Sequence, residues 1–280
     1  LLLSVVSGVA RAVPLDAGYR VADACSAVHR WAAPGRRAAV AENLRILGAE
    51  NPDDAVRSVF RNFGRTVFEF LRGPHVPELD VRILGWEHVE TARAAGRGVI
   101  VTLPHAGNWE AGGAAVARQG VPVHAVAGIQ LTRAWTPALR DRQARDGIRI
   151  LPPTLATWRS LPRLLGQNEL VALLVDGDVF RGGLPLHACG HRVQFPTGPA
   201  KLALRTGARI VPCRVVREAD GRILVTLSAP FAVAEGPDAI ARTSQAIMDE
   251  TLRGLQADPG QWLLFRRFFA PEETGSEVAA

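Results

Sequence analysis

The chain has 280 residues, 48% of them hydrophobic and 21% charged, which is enough apolar material for a sizeable core and argues against a disordered chain. It holds 33 basic and 27 acidic side chains, for a formal net charge of +6, and Lys201 is the only lysine. Three scattered cysteines, Cys25, Cys189 and Cys213, argue against a disulfide framework, and no apolar run reaches the roughly 18 residues of a spanning helix.

Arginine is the better fork for phosphate and carboxylate, so the positive balance fits an anionic membrane surface, phosphate-bearing substrates or nucleic acid. A compositional habit of writing arginine for lysine, matched by alanine richness, accounts for most of the bias. Nucleic acid is disfavoured, because no recognised module and no basic stripe interleaved with aromatics is present. No linker, internal repeat or low-complexity block divides the chain, so residues 1–280 read as a single domain.

Residues 1–75 read as helical. Leu1–Ala10 is apolar but meets Arg11 and Pro14 too soon to span a bilayer. Val40, Leu44 and Leu47 form one apolar face, and Val56, Phe60, Phe63, Val67, Phe68, Phe70 and Leu71 form another. Core packing is the simpler reading of that second face. The alternative is a bilayer contact in which Arg57, Arg61, Arg65 and Arg72 meet lipid phosphates.

From residue 80 to 268 strands and helices alternate. Strands are expected at Val81–Leu84, Gly98–Leu103, Val121–Ala127, Ile148–Leu151, Leu170–Val175, Ile210–Val216 and Ile223–Leu227, with helices at 87–95, 109–119, 132–145, 155–167, 199–206 and 237–256. The pattern predicts an α/β fold: a largely parallel central sheet flanked by helices on both faces, preceded by the helical segment. Loops at the strand C-termini then build the site.

Two such ends carry chemistry. After the strand ending at Leu103 comes Pro104-His105-Ala106-Gly107-Asn108-Trp109-Glu110. Gly107 allows a sharp turn, Asn108 is a good helix cap, and Glu110 falls in the first helical turn, where the helix dipole favours its ionised form. His105 reads as a general base, with Glu110 the candidate to fix its tautomer. After the strand ending at Val175 comes Asp176-Gly177-Asp178, whose carboxylates suit acceptor hydroxyls or an arginine; two acids make a thin Mg²⁺ site. Gly198-Pro199 opens a helix whose free N–H groups, with Lys201 and Arg205, could hold a phosphate. His187-x-Cys189-x-His191 has metal-ligand residue types, but with Gly190 it reads more simply as a hairpin turn. Trp109 and Trp262 are expected in the core; the alternative for Trp262, with Phe265, Phe268 and Phe269 near Arg266 and Arg267, is an acyl channel or a membrane-facing lip.

His105-Ala-Gly-Asn-Trp-Glu110 resembles the HxGNWE/D block of the bacterial lipid A and phosphatidylinositol mannoside acyltransferases, a branch of the lysophospholipid and glycerolipid acyltransferases. Ile83-Leu-Gly-Trp-Glu-His88 with Gly96–Ile100, then Phe195-Pro-Thr-Gly-Pro-Ala-Lys-Leu-Ala203 with Thr206-Gly-Ala208, and finally Asp258-Pro-Gly-Gln-Trp-Leu-Leu-Phe-Arg-Arg267 are similar to further blocks of that family, in its order. The resemblance implies transfer of a long acyl chain from acyl-CoA or acyl carrier protein to a glycolipid hydroxyl at the cytoplasmic membrane face, with no cofactor beyond the thioester donor. It implies Arg142, with Arg145 next, as the family's arginine before a glycine, and backbone N–H groups near Gly198 as oxyanion donors. Where the family reads acidic-Arg-Asp, this chain has Asp176-Gly177-Asp178, and Arg181 is the nearest substitute. A lipid-binding protein without turnover and a hydrolase in which His105 and Glu110 activate water are the rival readings. The absence of a Gly-x-Ser-x-Gly elbow disfavours a serine hydrolase.

Overall fold

The computed structural model describes residues 2–73, 79–128, 130, 133–177 and 182–270, so Asp178 and Arg181 lie outside the described residues. The helical segment divides into α1 (Leu2–Ala12), α2 (Leu15–Ala32), α3 (Pro34–Leu47) and α4 (Pro52–Arg72). The divisions follow local chemistry. Pro14 and Pro34 sit at helix starts, Gly48 takes a left-handed φ of 91° after α3, and the Asn51 side chain caps α4 by accepting from the Asp54 N–H. Helices α2 and α4 cross closely: a Cβ on Gly18 would lie 1.9 Å from Phe68, and one on Gly64 would lie 2.0 Å from the Ser26 hydroxyl.

The alternating region follows as β1 (Val81–Leu84), α5 (Trp86–Arg93), β2 (Val99–Leu103), α6 (Trp109–Ala117), β3 (Val123–Val126), α7 (Thr136–Arg145), β4 (Ile148–Leu151), α8 (Leu155–Gly166) and β5 (Leu170–Leu174). A hairpin of β6 (Leu184–Ala188) and β7 (His191–Phe195) precedes α9 (Gly198–Thr206), β8 (Arg209–Arg217), β9 (Ile223–Leu227) and α10 (Ala239–Ala257). Seven strands form one sheet in the order β1-β9-β8-β2-β5-β3-β4, in which only β8 and β9 pair antiparallel. The expected largely parallel sheet is therefore present.

Alternation along the strands supplies two faces. Ile100, Val171, Leu173 and Ile210 pack under α8, α9 and α10, whereas Val99, Val101, Leu170 and Val211 pack under α5 and α6. The hairpin turn holds Cys189 and Gly190 at positive φ, and among the described residues no cluster of three His, Cys, Asp or Glu side chains could hold a metal.

Candidate active site

Strands β2 and β5 are parallel neighbours with Leu103 opposite Leu174. Each chain then runs two residues further, to His105 and to Asp176, so the register itself sets the two side chains face to face. His105 Nδ1 lies 2.7 Å from Asp176 Oδ1. Asp176 Oδ2 accepts from the His105 backbone N–H at 2.8 Å and from the Trp262 indole N–H at 2.9 Å. Two strand ends and the closing segment thus meet on one carboxylate.

This arrangement corrects the expected orienting bond. Glu110 is not the partner of His105; it lies in the first turn of α6, 3.7 Å from an Arg142 guanidinium nitrogen, on the side facing α7. The reason is topological: the helix turns Glu110 away across the sheet, while the adjacent strand delivers Asp176. Asp176 in turn is not a free acceptor of substrate hydroxyls, since its side chain is 1% exposed and both oxygens are engaged.

The electrostatics follow from these contacts. Burial alone would lower the pKa of His105, but the charge and hydrogen bond of Asp176 outweigh it and the net shift is upward. Asp176 is held below the ordinary carboxylate range: burial pushes it up, and His105, the indole N–H and the backbone N–H more than offset this. An ionised Asp176 can only accept, so Nδ1 carries the proton and Nε2 is left as the basic nitrogen. Glu110 goes the other way. Burial raises it to about 8, against the opposing pull of Arg142 and a hydrogen bond from Gln143.

The His105 side chain keeps 34% of its surface exposed, into a cavity of about 700 Å³. Phe63, Val67 and Phe70 of α4 form one apolar wall, and Val126, Leu174 and Leu263 add to the apolar lining. A smaller cavity of about 100 Å³ lies between α6 and the sheet and shares Trp109, Glu110, Val126 and Leu174 with the first. Trp109, expected in the core, lines both, and its ring meets that of His105 edge-on at 5.3 Å.

The other expected residues divide. Gly198 and Lys201 line the large cavity, with Thr197 and Pro199, so the N-terminus of α9 opens into it. Arg142 does not reach the cavity lining; its guanidinium donates to the carbonyls of Phe70 and Leu71 and faces Glu110, tying α7 to the end of α4. Arg145 and Arg205 are exposed and outside the lining. Two further members have contacts that the sequence did not assign to them. Trp262 is 2% exposed and fixes Asp176, and Arg266 lines the cavity while donating to the Asp176 carbonyl at 3.4 Å. Both fall in the Asp258–Arg267 block, whose likeness to the family was the available signal.

A largely parallel-sheet fold with a histidine–aspartate pair opening on a cavity of about 700 Å³ with apolar walls defines the class. Residues 2–270 match the family of bacterial lipid A biosynthesis acyltransferases, and the chain belongs to it. Among characterised relatives it is 28% identical over 230 residues to a phosphatidylinositol mannoside acyltransferase of Mycobacterium tuberculosis, spanning 78% of this chain and 72% of the relative. It is 28% identical over 233 residues to the protein of the same name from Mycolicibacterium smegmatis, spanning 78% and 74%. The chain is thus an enzyme of an acyltransferase family, which implies an acyl donor and a lipid acceptor.

Proposed function

We propose that the protein moves a long acyl chain from a thioester, acyl-CoA or acyl carrier protein, to a hydroxyl of a glycolipid of the phosphatidylinositol mannoside type, with His105 as general base oriented by Asp176. The single observation that carries this is the His105–Asp176 pair opening onto the 700 Å³ apolar cavity. Nε2 of His105 takes the proton of the acceptor hydroxyl as its oxygen attacks the thioester carbonyl; the tetrahedral intermediate collapses, the C–S bond breaks, and the thiolate departs, with the His105 proton available to it. No enzyme-bound acyl group is needed, because a thioester is already activated. The N-terminus of α9, with Lys201 and Arg266 on the same cavity, supplies positive potential for the oxyanion or the donor's phosphates. Apolar walls suit the alkyl chain, and the smaller cavity past Trp109 and Glu110 extends the room for it.

Membrane contact belongs to the same proposal. Val21, Val28 and Trp31 lie on one stripe of α2 and are 62–79% exposed, with Val5 and Val9 exposed on α1. Exposed Arg11, Arg20, Arg36 and Arg37 flank them. Aliphatic and indole side chains beside arginines suit the cytoplasmic face of an anionic bilayer, without a span: among the described residues no helix is long and apolar enough to cross one.

Incubation with palmitoyl-CoA and a panel of phosphatidylinositol mannosides and lipid A precursors, read by mass spectrometry, tests the reading. Acylated phosphatidylinositol mannoside is the expected product, and His105→Ala should reduce its rate by about 10²- to 10⁴-fold. Free fatty acid as the sole product would favour a hydrolase. Acyl-chain binding without turnover would favour a lipid carrier.

A further inference from the structure

Among the buried polar residues of helix α4, Asn62, Thr66 and Glu69 are spaced four and three apart, so that they form one stripe beside its cavity-lining aromatic face. All three reach the same place. Asn62 donates to the Gly260 carbonyl at 3.0 Å, Thr66 to the Gly107 carbonyl at 3.4 Å, and Glu69 Oε2 accepts from the Asn108 side-chain amide at 2.7 Å. Gly107 and Asn108 are the turn between His105 and α6, and Gly260 precedes the segment that holds Asp176.

Glu69 is the centre of this arrangement. Its side chain is 1% exposed, Oε2 also pairs with Arg217 of β8 at 2.5 Å, and Oε1 accepts from the Tyr19 hydroxyl of α2. Sealing a carboxylate and a guanidinium this completely is costly, and packed apolar side chains would often serve stability as well or better. What they could not do is hold the Asn108 amide in one orientation. With its NH₂ on Glu69, Asn108 presents Oδ1 to the Ala111 N–H at 2.9 Å and caps α6. Trp109, the next residue, stands edge-on to the His105 ring. A second tie closes the loop. The Gln261 side chain brackets the Arg217 backbone, its Oε1 accepting from the Arg217 N–H at 3.2 Å and its Nε2 donating to the Arg217 carbonyl at 2.8 Å, and the Gln261 backbone carbonyl accepts from the Gly107 N–H at 3.1 Å.

We propose that Glu69 is a positioning residue for the reaction: through Asn108 it fixes the turn that carries His105 and Trp109, which makes the N-terminal helices part of the catalytic apparatus. The inference rests on His105 as the base, and the test separates the two. Glu69→Gln, Glu69→Asp, Asn108→Ser and the double variant Glu69→Gln/Asn108→Ser are compared with Val59→Ala, a buried truncation on α4 outside this network that reports what lost stability alone does. Serine at 108 can still cap α6 but cannot reach Glu69.

The expected result is a kcat about 10- to 100-fold lower for Glu69→Gln at little-changed KM for palmitoyl-CoA, and a double variant no slower than the slower single. The NMR titration of the His105 imidazole in protein without substrate should shift in Glu69→Gln and stay put in Val59→Ala. Glu69→Asp keeps the charge beside Arg217 and serves where the glutamine variant does not fold; it should show the same displacement in smaller measure. An unchanged imidazole titration in Glu69→Gln or Glu69→Asp, or single effects that multiply in the double variant, overturns the proposal. If the parent protein transfers no acyl group, the reading of the reaction has failed, and the titration and Asn108-to-Ala111 amide shifts still decide the positioning role.

Discussion

At Asp176 one carboxylate serves a ring nitrogen, a backbone N–H and an indole, and so fixes the orientation of the His105 ring. Asp176→Asn should cut turnover by about 10²-fold or more. It should also move the acidic limb of the kcat/KM profile to lower pH, since burial and Arg266 then lower the imidazole pKa unopposed. Steady-state rates from pH 5 to 9 check both. The same pair is linked to stability. His105, raised in the folded state, contributes most below its unfolded pKa of about 6.5 and loses this as pH rises through its folded value; Asp176, lowered, contributes above about 3.9 and loses this in acid. Glu110 has the opposite sign for a carboxyl group. With a folded pKa of about 8, it binds its proton more tightly when folded, so stability falls as pH rises from about 4.5 to 8. Glu110→Gln should flatten the melting-temperature profile across that interval; a slope equal to the parent's would show that Glu110 is not its source. A neutral carboxyl near pH 7 also suits a residue shared by two apolar cavities.

Among the elements, α4 has two duties, with its aromatic residues walling the cavity and its polar stripe holding the turns. Both require the helix to be pressed in place by α2, and small residues permit that approach. A Cβ at position 64 would meet the Ser26 hydroxyl and also lie 2.9 Å from the Ala22 carbonyl, which cannot rotate away. Gly64→Ala is expected to cost about 1–3 kcal/mol in denaturant unfolding. The element boundaries were largely legible, because proline, glycine and asparagine sit at the helix ends and apolar alternation marks the strands. The cavity wall supplied by α4 was less so. Phe63, Val67 and Phe70 show helical spacing, which predicts a buried face but not that part of the face borders an empty volume.

For the whole molecule, the exposed stripe of α1 and α2 and the arginine-rich surface are separate from the buried network that ties α4 to the site. Membrane binding and chemistry should therefore respond to different substitutions. Trp31→Ser with Val28→Ser is expected to weaken binding to phosphatidylinositol-containing vesicles by about tenfold in sedimentation. Activity on detergent-solubilised acceptor should be nearly unaffected. Equal loss in both assays would place the stripe in the fold rather than on the bilayer.

The order of strands and helices, the turn after Leu103 and the presence of His105 at a strand end were determined by the sequence alone, since each rests on local periodicity, capping or backbone freedom. The partner of His105 was decided only in three dimensions. Glu110 is five positions on from His105 and Asp176 is 71 positions on, yet the nearer acid is carried off by α6 to Arg142. The distant one arrives because β5 lies beside β2 in parallel register. Strand adjacency is a long-range choice of packing, and no spacing along the chain encodes it.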